Sequence, residues 1–161
     1  MRPASIIVLA FSLSALAACN PFHIGQAVQV NARDVNLNSR WHGTISSPAS
    51  LAGVVQITGQ ATMAPGSSDG STTVTLSLAN ATPGGVHPWQ MHHGQCGNDQ
   101  GVFGSNSAYR PIQIGGDGQA TTSARVPVQT PASGDYFVSV QASAVNEETT
   151  IACGNMAAPT Q

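Results

Sequence analysis

The chain has no lysine. Five arginines stand against seven acids in 161 residues, and the formal net charge is −2. No basic patch can form from so few cations, which argues against nucleic acid as a partner. Long apolar runs are missing too. The longest, Ile6 to Ala18, has 13 residues and is too short to cross a bilayer comfortably. No segment repeats apolar residues at helical spacing. There is no Gly-x-Ser-x-Gly elbow, no phosphate-cradling glycine loop and no Cys-x-x-Cys pair. Cysteine is limited to three residues.

What is present begins with a targeting pattern. Met1-Arg2-Pro3 is a short basic start, and the apolar run after it has the length of a signal-peptide core. It ends Leu16-Ala17-Ala18-Cys19, which resembles the lipobox of bacterial lipoproteins. The resemblance implies acylation of Cys19 and cleavage before it. Residues 1–18 are then a signal peptide, 19–50 a lipidated tether, 51–156 a folded domain and 157–161 a frayed tail. Asn20, with no Asp beside the lipidated position, favours the outer membrane, facing the periplasm. The acyl group makes the membrane the expected partner.

With Cys19 carrying lipid, Cys96 and Cys153 remain. In an oxidising compartment an even pair reads as one disulfide; the alternative is two free thiols. From about Val54 the chain takes a period of two. Val55, Ile57, Gly59, Ala61 and Met63 share one face, and Thr72, Val74, Leu76 and Leu78 alternate with Thr73, Thr75, Ser77 and Ala79. Further strands are expected over Tyr109–Ile114, Ala120–Val128, Tyr136–Val140 and Thr149–Cys153. Glycine and proline clusters separate them, with 97–108 as a loop. Seven or eight short strands with such turns predict an all-β sandwich or barrel.

One stretch concentrates the chemistry. His87-Pro-Trp-Gln-Met-His-His-Gly-Gln-Cys96-Gly97 holds three of the five histidines. Imidazole and thioether are metal ligands. Strand alternation puts Gln90 and His92 on one face, Met91 and His93 on the other. Met91 and His93 form a candidate soft-donor pair for Cu(I), against the plainer reading of a packed methionine and a solvated histidine.

The segment Leu78-Ala-Asn-Ala-Thr-Pro-Gly-Gly-Val-His-Pro-Trp-Gln-Met-His-His-Gly-Gln-Cys96 resembles the histidine-strand region of Cu,Zn superoxide dismutases. Ile151-Ala-Cys-Gly154 resembles that family's Leu-Ala-Cys-Gly end, and Tyr136-Phe-Val-Ser-Val-Gln141 stands where the family has a strand ending in a copper histidine. The resemblance implies an eight-stranded Greek-key β-barrel, a Cys96–Cys153 disulfide, and a structural role for His87 in tying down a loop. It also shows what has changed. The first copper position falls on Gln90, the second on His92 and the fourth on Gln141. The arginine that guides the anionic substrate falls on Thr150. Between Cys96 and Gly118, where the bridging and zinc histidines belong, there is no histidine; Asp99 and Asp117 are the only acids.

Copper that cycles between oxidation states needs several imidazoles in a fixed geometry, and one matched imidazole does not supply it. Without the arginine, anion steering is lost as well. The expectation is an envelope lipoprotein with a degenerate dismutase-like domain, little or no dismutase activity and at most weakly bound copper or zinc. His87, Met91, His92 and His93 are the donors left to hold it. A non-metal binding or scaffold module of the envelope, or a residual dismutase recruiting His42 or His87, are the alternatives.

Overall fold

The computed structural model describes residues 39–160; the expected signal peptide, Cys19 and most of the tether lie outside the described residues. The fold is all-β. Among the described residues ten strands are formed: β1 (Trp41–Ser46), β2 (Thr58–Pro65), β3 (Thr72–Ala79), β4 (Val86–His87), β5 (Trp89–Gln95), β6 (Asn98–Val102), β7 (Ile112–Gln113), β8 (Ala120–Val126), β9 (Tyr136–Ser143) and β10 (Asn146–Asn155). Eight of them make one curled antiparallel sheet in the order β6-β5-β9-β10-β1-β2-β3-β8, and β4 pairs with β7. The neighbours β5–β9, β10–β1 and β3–β8 are distant in sequence, so the sheet is assembled through crossovers, with β6 and β8 at its edges.

The period-two segments behave as their patterns require. In β3, Thr72, Val74, Leu76 and Leu78 are buried and the residues between them are half-buried. Trp41, Ile45, Met63, Leu76, Met91 and Val138 belong to one apolar core. β9 differs: Tyr136 to Gln141 are all buried, because the strand is covered on both faces. Tyr136, Val138 and Val140 join the core, whereas Phe137, Ser139 and Gln141 line a cleft on the other side.

Four expectations are corrected. Trp41–Ser46 is not tether but a strand between β10 and β2, paired with β2 over its whole length. Its polar, Ser/Pro-flanked sequence hides it, since only Trp41 and Ile45 are fully buried. The expected loop 97–108 contains β6, an edge strand whose exposed side chains give no burial period. The tail is tied as far as Ala157, whose N–H and C=O exchange hydrogen bonds with His42 at 2.7 and 3.1 Å. The strand expected over Tyr109–Ile114 shortens to the two residues of β7.

In β10 the register shifts between Thr150, opposite Gln141, and Ala152, opposite Val140. This bulge inserts a residue and resets the alternation. Thr150 and Cys153, an odd number of residues apart, therefore both reach the cleft. Gly154 follows, where a Cβ would collide with the Thr44 carbonyl; only glycine lets β10 lie this close to β1.

Candidate functional site

The cleft holds about 810 Å³. Its floor comes from two adjacent strands in register: Gln90 opposite Ser139, and His92 opposite Phe137, between β5 and β9. Gln141 continues the floor on β9, and Thr150 closes it from β10. The Cys96–Cys153 disulfide, with Cα atoms 6.1 Å apart and a sequence separation of 57, forms one wall. Asp99, Glu147 and Glu148 supply the charge, and no arginine lines the cleft.

A chain of hydrogen bonds runs along the floor. His92 Nδ1 is 2.9 Å from Asp99 Oδ1, His92 Nε2 is 3.0 Å from Ser139 Oγ, and Gln141 Nε2 donates to Ser139 Oγ at 2.7 Å. The chemistry of its ends sets its direction. Burial opposes ionisation of Asp99, but hydrogen bonds from the Gly101 N–H and from His92, with the attraction of that ring, outweigh it and hold the carboxyl below its ordinary value. A carboxylate only accepts, so His92 Nδ1 carries the proton. When the ring carries only that proton, Nε2 accepts from the Ser139 hydroxyl, whose oxygen accepts from Gln141 Nε2. The His92 ring also stacks on Phe137, with centroids 5.0 Å apart and planes at 23°. His92 and Ser139 are buried; the Asp99 side chain is 54% exposed. Gln141 Oε1 is buried and has no partner.

The other candidates lie elsewhere. Met91 is fully buried in the core, on the face opposite His92, so it is not available as a surface donor beside His93. His93 is half-buried, its ring 5.1 Å from that of Tyr136 and 5.6 Å from that of Phe103. His87 donates from Nδ1 to the Ala142 carbonyl at 2.9 Å, which straps β4 to the end of β9. His42 sits on β1 beside Gln60 and Thr62, away from the cleft. Among the described residues no three His, Cys, Asp or Glu side chains gather as metal ligands. Replacing His87 with Ala is expected to cost about 1–2 kcal/mol, the strap bond plus the stranded carbonyl; a thermal melt checks it, and an unchanged midpoint would remove the structural role.

No family model and no curated protein sequence matches the chain.

Ser139 and Asp99 were missed by sequence reasoning. Ser139 reads as an ordinary residue of an apolar strand, and Asp99 as a loop acid outside any ligand motif. The only signal was indirect: Ser139 falls on the same side of β9 as Gln141, so any partner of Gln141 in the cleft is also within its reach.

Proposed function

We propose that the chain is a lipid-anchored protein of the bacterial envelope, held at the outer membrane through Cys19. Its domain is a Cu,Zn superoxide dismutase-like Greek-key barrel that has left redox chemistry and serves as a binding module through its cleft. The observation that carries this reading is convergence. Gln90, His92, Gln141 and Thr150 are the positions onto which the resemblance maps three copper ligands and the guiding arginine. Though up to 60 residues apart in sequence, they line one cleft against the Cys96–Cys153 disulfide.

The donors do not fit a redox copper. His92 is the one imidazole at a copper position, and both its nitrogens are engaged, Nδ1 with Asp99 and Nε2 with Ser139. Gln90 and Gln141 offer neutral amide oxygens, which suit harder ions poorly retained without charge. Copper or zinc reaches His92 only by displacing Asp99 or Ser139, so binding is weak. With Asp99, Glu147 and Glu148 around the cleft, an anion such as superoxide is repelled rather than steered.

Metal analysis and superoxide-decay assays on protein purified without chelators test this. The expected result is well below one copper per chain and decay no faster than in buffer. Tight, stoichiometric copper with rapid dismutation overturns the reading.

A further inference from the structure

Asp99, His92 and Ser139 stand in the relation of a carboxylate, a base and a hydroxyl nucleophile. The carboxylate is 2.9 Å from Nδ1 and the hydroxyl oxygen 3.0 Å from Nε2 of the same ring. Such a constellation is recognised by geometry and roles rather than by sequence motif. Ser139 is 4% exposed and lines the floor of the cleft, so a substrate has to seat against that floor to reach its oxygen. We infer that the cleft is an acyl-transfer site in which Ser139 is the nucleophile and His92 the general base for neutral or cationic carboxylic esters. This goes beyond the binding role and needs no metal.

Each neighbouring group has a part. Asp99 holds the Nδ1–H tautomer and faces the positive charge that the ring acquires on taking a proton. Gln141 Nε2 fixes the Ser139 oxygen at 2.7 Å. Its Oε1, buried without a partner, is a vacant acceptor for a donor on the substrate, and a lone buried acceptor is costly unless a ligand supplies that donor. Gln90 stands directly opposite Ser139 across the ladder and lines the same cleft. Side chains of opposed residues start about 5 Å apart, so we assign the Gln90 amide the role of donor to a developing oxyanion. Phe137, Pro88 and Val102 give the acyl group apolar walls. Glu147 and Glu148, exposed on β10, line the cleft with no cation among its lining residues. This selects against an anionic leaving group.

The steps balance. Ser139 Oγ attacks the ester carbonyl carbon as its proton passes to His92 Nε2. The bond from that carbon to the alcohol oxygen breaks, and the alcohol leaves with the proton from His92. Water then gives a proton to His92 and its oxygen to the acyl carbon. The ester bond to Ser139 breaks, the carboxylic acid departs and the proton returns to Ser139.

The test uses the full-length protein in detergent, stripped of metal with EDTA. It is incubated with a fluorophosphonate probe, then with acetyl esters carrying a cationic or an anionic alcohol. The expected result is one adduct, mapped by peptide mass to Ser139, absent in Ser139→Ala and formed roughly 10²–10⁴-fold more slowly in His92→Gln. Ser123→Ala, on the exposed side of β8, labels like the unaltered protein. The cationic ester is cleaved at least about tenfold faster than the anionic one, by charge selection at the cleft. His92→Gln retains amide groups that can bond Asp99 and Ser139, and circular dichroism with an intact disulfide confirms folding of every variant. Folded protein with no adduct on Ser139 overturns the site; so does labelling that ignores His92→Gln. Faster cleavage of the anionic ester overturns the substrate class. Because metal has been removed, these outcomes are independent of the copper and superoxide measurements.

Discussion

Trp41→Ala is expected to destabilise the domain by about 3–5 kcal/mol, the range for removing a buried tryptophan. Trp41 is 1% exposed. Its ring meets that of Tyr136 edge-on, with centroids 5.2 Å apart and planes at 80°, and its indole N–H donates to the Pro131 carbonyl at 2.8 Å. The substitution therefore opens a cavity, removes an aromatic pair and strands a carbonyl in one step. Domains of this size hold about 5–15 kcal/mol in total, so the loss takes a large share. The melting temperature should fall by roughly 10–20 °C. A shift under about 2 °C would return residues 41–46 to the tether that their sequence suggests. A large shift is the simplest demonstration that β1 belongs to the sheet.

Removal of the disulfide ranks with it. Closing a loop between cysteines 57 positions apart in sequence is worth about 4 kcal/mol in the chain-entropy treatment. The double change Cys96→Ala, Cys153→Ala is expected to cost about that much, read as the shift of a urea or thermal transition. Replacing both cysteines avoids leaving a lone thiol. The loss should also be uneven in space. β6 is an edge strand, paired only with β5, and the disulfide anchors the turn before it to β10. Cys96 N–H also donates to Asn155 Oδ1 at 2.8 Å, one further tie that survives the substitution. Hydrogen exchange should accelerate over residues 97–102 more than in β3, which is held on both sides. Equal acceleration would mean that the disulfide steadies the whole sheet and not the Asp99 arm of the cleft.

The unevenness matters for the chemistry. Asp99 is the most exposed member of the hydrogen-bonded chain, and exposed ion pairs contribute little stability on their own. Its position over His92 depends on the Gly101 N–H, which it accepts at 2.7 Å, and on the pairing of His92 with Val102 and of Gly94 with Asp99. The disulfide thus acts on the site through β6, a link invisible in any local motif.

The fold class was legible because it rests on local alternation. The period of two in Thr72–Ala79 follows from the pleat alone, and the structure keeps it. The same rule put Gln90 and His92 on one face and Met91 on the other, as found. Parity of cysteines led to the Cys96–Cys153 bond. β1 and β6 were not legible, because each has few fully buried residues, and a strand without a buried face leaves no period to read. Thr150 and Cys153 were not assignable to one face either, since the bulge in β10 breaks the count between them.

The sequence by itself determined an all-β chain, the faces of its regularly alternating strands and the pairing of Cys96 with Cys153, because each follows from spacing along the backbone or from a count. Only the tertiary structure decided what His92 touches. Asp99 comes from the edge strand β6 and Ser139 from β9, 47 residues from His92 in sequence. They meet because β5 is paired between those two strands. Strand order is settled by long-range pairing across the whole sheet, which no local pattern encodes.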